Sequence, residues 1–166
     1  MAEIGFYHLQ RIGLEQVLPR LLEKVIGSGM RAVVLASSEE RVEALNRLLW
    51  TYGRDSFLPH GSRADGFAEA QPIFLAASYE RPNDADVLVL VDGADHDDLG
   101  PFRRCLDIFD GNDEAAVAAA RDRWRRRREQ GHTLVYWQQK PEGGWQKARS
   151  AGPDCDGASS QSATSV

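Results

Sequence analysis

The sequence predicts an α/β fold: a Rossmann-like three-layer sandwich with a mainly parallel sheet, helices on both faces and no nucleotide-binding loop. Three observations carry this. Residues 31–36 and 87–91 are continuous aliphatic runs of strand length, the pattern of strands buried on both faces. Amphipathic segments of helical period separate such runs, as a parallel sheet with crossover helices requires. At 166 residues and 42% hydrophobic, the chain is long enough to bury one proper core.

The elements follow in order. Residues 4–9 form a short β-rich run. Helical spacing follows at Leu14, Val17, Leu18, Leu21, Leu22 and Val25 and closes at Gly27-Ser28-Gly29. Residues 31–36 make the second strand, and Ser37 with Glu40 reads as a capping box for a helix through Leu48. Residues 73–76 suit a brief strand and 87–91 a fully buried one. A helix is expected over 102–108, placing Cys105 on it as a small buried residue, and a longer one over 113–130. Residues 133–138 and 145–147 read as two strands around Gly143-Gly144. From Arg149 to Val166 the only large apolar residue is Val166, too little to offset ordering entropy. The domain is therefore expected to span 1–148, with 149–166 a disordered C-terminal tail that contains Cys155.

Several function classes are excluded on composition and motif. No apolar window of about 18 residues exists to cross a bilayer, and the N-terminus lacks signal-peptide features. Two cysteines without metal-type spacing point to a reduced, cytoplasmic protein. The turn after the first strand, His8-Leu9-Gln10-Arg11-Ile12-Gly13, carries no G-x-G-x-x-G, and no Walker A loop occurs. The acidic stretch Asp92 to Asp98 follows a buried strand, where Asp92 could serve as a Mg²⁺ ligand. Nothing elsewhere completes a catalytic constellation, so it reads as a solvated loop with Asp97 or Asp98 capping the next helix. His8, His60, His96 and His132 share no ligand spacing. No catalytic, cofactor-binding or metal-binding residue is assigned, and no cofactor is expected.

Two segments remain. Arg121-Asp122-Arg123-Trp124-Arg125-Arg126-Arg127-Arg128 packs guanidinium groups around one tryptophan in a chain of formal net charge −5. Alanines 115, 116 and 118–120 precede it and Gly131 follows, so it decorates the last turns of a helix, where cations suit the macrodipole. Such a block implies an acidic partner. Its rivals are direct binding of single-stranded nucleic acid, with Trp124 as stacking platform, and a solvated helix whose Trp124 is core. The second segment, residues 48–61, sets Trp50, Tyr52 and Phe57 in a loop-like stretch broken by Gly53 and Pro59. Aromatics there either plug the core or anchor a partner, and composition leaves these two even.

The order of several short pieces resembles the chi subunit family of bacterial DNA polymerase III holoenzyme. They are Phe6-Tyr7, Leu49-Trp50, Ser56-Phe57-Leu58-Pro59-His60, Gln71-Pro72-Ile73, Val91-Asp92-Gly93, Ile108-Phe109-Asp110-Gly111, Ala120-Arg121 and Tyr136-Trp137-Gln138-Gln139. The likeness runs from about Phe6 to Lys147. It implies a non-catalytic accessory subunit of a DNA-directed DNA polymerase (nucleotidyltransferase) complex in DNA replication, with a Rossmann-like fold lacking nucleotide loops. It implies two partners. One is the acidic C-terminal tail of single-stranded DNA-binding protein, ending in Ile-Pro-Phe, at Arg121, Trp124, Arg125 and Arg128. The family usually has tyrosine and lysine where Trp124 and Arg125 stand. The other is the psi subunit, or another clamp-loader or helicase component, at Trp50, Phe57, Leu58 and Pro59. Nucleic-acid contact would be mainly indirect.

Overall fold

The computed structural model describes residues 2–53, 58–141 and 144–152. Phe57 and Cys155 therefore lie outside the described residues. The elements are β1 (Glu3–Leu9), α1 (Leu14–Gly27), β2 (Ala32–Leu35), α2 (Glu39–Thr51), β3 (His60–Ser62), β4 (Ile73–Ala76), β5 (Val87–Leu90), β6 (Arg104–Asp110), α3 (Glu114–Glu129), β7 (Thr133–Gln139) and β8 (Trp145–Ala151). They build an eight-stranded sheet in the order β3-β4-β2-β5-β6-β1-β7-β8. Every pairing is parallel except the antiparallel β7–β8 edge.

Side-chain alternation along the central strands sorts the core into two layers. Tyr7, Val34, Val89 and Ile108 join the apolar stripes of α1 and α2 on one face. Phe6, Val33, Leu88, Cys105 and Phe109 join Ala120 and Trp124 of α3 on the other. The Rossmann-like sandwich expected from the sequence is thus present, with helices on both faces.

In the turn from β1 into α1, where dinucleotide folds place a pyrophosphate, three backbone N–H groups are already committed. The backbone N–H groups of Gln10, Arg11 and Ile12 all donate to Oε1 of Gln139, at 3.0, 2.8 and 3.1 Å. A side-chain carbonyl from the end of β7 occupies the position an anion would take.

Five expectations need correction. Residues 104–110 form strand β6, not part of a helix, and Cys105 lies in that strand with its thiol pKa raised by burial. β6 is central, between β5 and β1, so both its faces are covered; Asp107 broke its apolar run and hid it. The N-cap of α2 is Ser38, which accepts from the Arg41 N–H, rather than Ser37. α2 continues past Leu48 to Thr51, so Trp50 stands on its last turn rather than in a loop. No helix follows the acidic stretch for Asp97 or Asp98 to cap; Asp98 accepts from the Gly100 N–H instead. Finally, β8 runs to Ala151, with Arg149 opposite Tyr136 and Ala151 opposite Leu134. The strand expected over 145–147 is therefore longer than its apolar residues suggested, because an edge strand can be held by pairing with its partner.

Candidate partner-binding face

The site is built on α3. Asp113 caps its first turn by accepting from the N–H groups of Ala115 and Ala116, and the alanine run carries the helix into the arginine block. At about 100° per residue, the six arginines fall on two stripes that meet different surroundings.

Arg123, Arg126 and Arg127 form the first stripe and are neutralised. Arg123 grips Asp107 of β6 through Nε at 2.6 Å and Nη2 at 2.9 Å, both residues being buried. Burial pushes the Asp107 carboxyl up, and the Arg123 fork opposes it. Arg127, only 1% exposed, donates to Asp95 Oδ1 at 2.6 Å and to the carbonyls of His96 and Asp97. Arg126 pairs with Asp95 and Asp97. Burial alone would raise the Asp95 carboxyl, but Arg126 and Arg127 hold it below its ordinary value. Two aspartates of the acidic stretch, Asp95 and Asp97, are thus counter-charges of α3. Asp92 itself accepts from Arg41 Nε at 2.5 Å. That pair lines a cleft of about 730 Å³ at the carboxyl ends of β1 and β6.

Arg121, Arg125 and Arg128 form the second stripe, and all three are exposed. Among the described residues the guanidinium groups of Arg121 and Arg128 enter no ion pair or hydrogen bond. Arg125 meets only Asp122, at 3.6 Å on the same helix. Trp124, between the stripes, is 8% exposed. Its ring packs edge-on against Phe6 at 5.3 Å and against Tyr136 of β7 at 6.0 Å. It can wall the stripe but presents no open stacking face.

The sequence did not single out the floor of this stripe. Tyr136 is half-buried beside Trp124, with Phe109 at 6.0 Å and its hydroxyl hydrogen-bonded to His8 Nδ1. Burial raises the Tyr136 phenol, while Arg121 and Arg149 act in opposition. The signal that could have found it is strand alternation, which points Leu134 and Tyr136 to the α3 side.

The other expected face is only partly described. Trp50 is 56% exposed, with its ring 4.8 Å from that of His60. Leu58 is buried in the core, its carbonyl hydrogen-bonded to His60 Nδ1 at 2.6 Å, and Pro59 is half-buried. The structure therefore separates Trp50, a surface residue, from Leu58, a core residue.

Fold and site together define a Rossmann-like α/β protein whose first-turn N–H groups are held by Gln139 and whose longest described helix carries an unneutralised basic stripe. The family described as DNA polymerase III chi subunit, HolC, matches residues 1–135. The chain belongs to this family, accessory subunits of DNA polymerase III in replication. It is 36% identical over 109 residues to the "Probable DNA polymerase III subunit chi" of Rickettsia prowazekii (strain Madrid E), covering 66% of this chain and 66% of that protein. It is 32% identical over 119 residues to the "DNA polymerase III subunit chi" of Pseudomonas aeruginosa, covering 72% of this chain and 82% of that one. Among the described residues, no helix is long and apolar enough to cross a membrane.

Proposed function

We propose that this chi-family protein links the polymerase's clamp loader to single-stranded DNA-binding protein, whose acidic C-terminal tail docks on the α3 stripe. The observation that carries the reading is the partition of charge on one helix. Arg123, Arg126 and Arg127 are consumed by Asp107, Asp95 and Asp97, whereas Arg121, Arg125 and Arg128 are left for a partner. An arginine fork suits a carboxylate, and the apolar edge of Trp124 suits the tail's terminal phenylalanine. Direct binding of single-stranded DNA is less well supported, since base stacking needs an open aromatic face and Trp124 is 8% exposed. Trp50 supplies the anchor for the clamp-loader side, whether psi or another component.

The test is calorimetric titration with a peptide ending Asp-Asp-Asp-Ile-Pro-Phe. Micromolar binding is expected, because a short flexible peptide loses ordering entropy. Arg121→Ala or Arg125→Ala should each cost about 1.5–3 kcal/mol, the scale of a charge-assisted hydrogen bond. Arg128→Ala should mainly reduce the salt dependence, as an exposed charge would. Equal binding of the free and C-terminally amidated peptides would defeat the pocket reading. For the second face, Trp50→Ala should weaken a clamp-loader complex by about 2 kcal/mol. The melting temperature should be unchanged, and a lowered melting temperature with intact binding would make Trp50 structural.

A further inference from the structure

We infer that Arg149 of β8 is a specificity residue of this face, closing on Arg121 across Tyr136 so that two guanidinium groups from separate elements hold one carboxylate of an acidic peptide. The inference rests on the peptide reading of the α3 stripe and adds a residue beyond the family-matched span, which ends at 135.

Tyr136 and Arg149 are directly opposed in the antiparallel β7–β8 pair, so their side chains leave the sheet on the same face. That face is the α3 side, because the Tyr136 ring packs on Trp124. The register shifts between Tyr136 and Trp137, whose partners are Arg149 and Lys147. Without that bulge Ala148 would stand opposite Tyr136, and a one-residue slip reverses which side chains face which layer. The bulge therefore aims an arginine, instead of an alanine, at the basic stripe. Arg121 stands one turn before Trp124 on α3, and the Trp124 ring meets Tyr136 at 6.0 Å; in keeping with this, Arg121 and Arg149 both oppose the upward push of burial on the Tyr136 phenol.

Neither guanidinium is committed elsewhere among the described residues. Arg125, by contrast, has Asp122 as a competitor at 3.6 Å. A terminal carboxylate has two oxygens and can accept from two forks, whereas the more dispersed Arg125 and Arg128 suit upstream aspartates. The floor is partly buried, which strengthens charge pairing relative to open solvent. A carboxylate is favoured over a nucleic-acid phosphate because the aromatics beside Arg121 and Arg149, Trp124 at 8% exposure and the half-buried Tyr136, offer a neighbouring base no open ring face.

The test uses the full chain and the Asp-Asp-Asp-Ile-Pro-Phe peptide with free and amidated C-termini, with an oligo-dT strand as competing probe. Arg149→Ala should weaken the free peptide roughly tenfold, the loss of about one charge-assisted hydrogen bond. Arg149→Lys should recover part of that loss, since lysine keeps the charge but not the fork. The Arg149→Ala effect should vanish with the amidated peptide and be non-additive with Arg121→Ala, because both share one carboxylate. Thermal unfolding should be unchanged, since Arg149 is exposed on an edge strand. Loss of peptide binding in Arg121→Ala but a change under twofold in Arg149→Ala overturns the inference and leaves the stripe reading standing. No peptide binding by the unmutated protein overturns both. Oligo-dT binding that depends on Arg149, with no peptide binding, makes the face a nucleic-acid site.

Discussion

Arg123 and Arg125 stand two positions apart on α3, yet their mutants should behave oppositely. Arg123→Ala leaves Asp107 buried in the sheet without its bidentate partner, and removing one member of a buried pair costs about 3–5 kcal/mol. Arg125→Ala, on the exposed side, should stay within about 0.5 kcal/mol in the same urea titration. Replacing the pair together, Arg123→Met with Asp107→Leu, should recover most of the loss, because the desolvation of both charges disappears. Equal stability of the two single mutants would show that Asp107 finds water or another donor. The sequence could not separate these arginines. Their partners, Asp107, Asp95 and Asp97, come from elsewhere in the chain, and the sequence beside the block offers only Asp122 and Glu129. The same contact explains the missed strand: Asp107 is tolerable inside β6 only because a distant helix neutralises it.

At the level of elements, what was legible depended on where each element's contacts lie. α1 and α3 were readable to within a residue or two, since the apolar spacing of α1 and the alanine run and Gly131 stop of α3 are local signals. β2, β4 and β5 were readable because both faces are buried and their residues are uniformly apolar. The outer part of β8 was not, because Arg149 and Ser150 are held by pairing with β7 rather than by burial. Of the candidate site, the stripe Arg121, Arg125 and Arg128 could be named, while its floor of Tyr136 and its flank of Arg149 arise from pairing across some thirteen residues of sequence. Gln139 is a further long-range element, joining the end of β7 to the β1–α1 turn. Gln139→Leu keeps volume but leaves three backbone N–H groups without their acceptor. It should cost about 1 kcal/mol, the low end for unsatisfied donors, because the three groups are only partly buried. Amide exchange at Gln10, Arg11 and Ile12 should accelerate with it, and unchanged exchange there would mean that water replaces the side chain at no cost.

For the whole molecule, two histidines tie the sheet to its surroundings and set how stability depends on pH. His8 on β1 faces Asp110 of β6, Arg121 of α3 and Tyr136 of β7; burial and then Arg121 lower its pKa from 6.5, with Asp110 opposing. His132, at the foot of β7, is lowered first by burial and then by Arg127, and its Nδ1 accepts from the Ala2 N–H at 3.2 Å. An accepting ring nitrogen must be unprotonated. With the folded pKa below the unfolded one, the unfolded chain binds more protons, so stability rises with pH through this window. The contribution is complete above about 6.5 and is lost as pH falls towards the depressed folded values. Asp95, also lowered, acts in a separate window, its contribution present above 3.8 and lost below it. Unfolding free energy from urea titrations should therefore drop as pH falls from 7.5 to 5.5, with the raised Asp107 carboxyl, whose contribution is lost as pH rises, acting in the opposite sense. The combined His8→Gln and His132→Gln variant should flatten that drop while keeping polar groups at both positions. If the variant loses stability with the same slope as the unmutated chain, the acid sensitivity lies in groups other than these two rings.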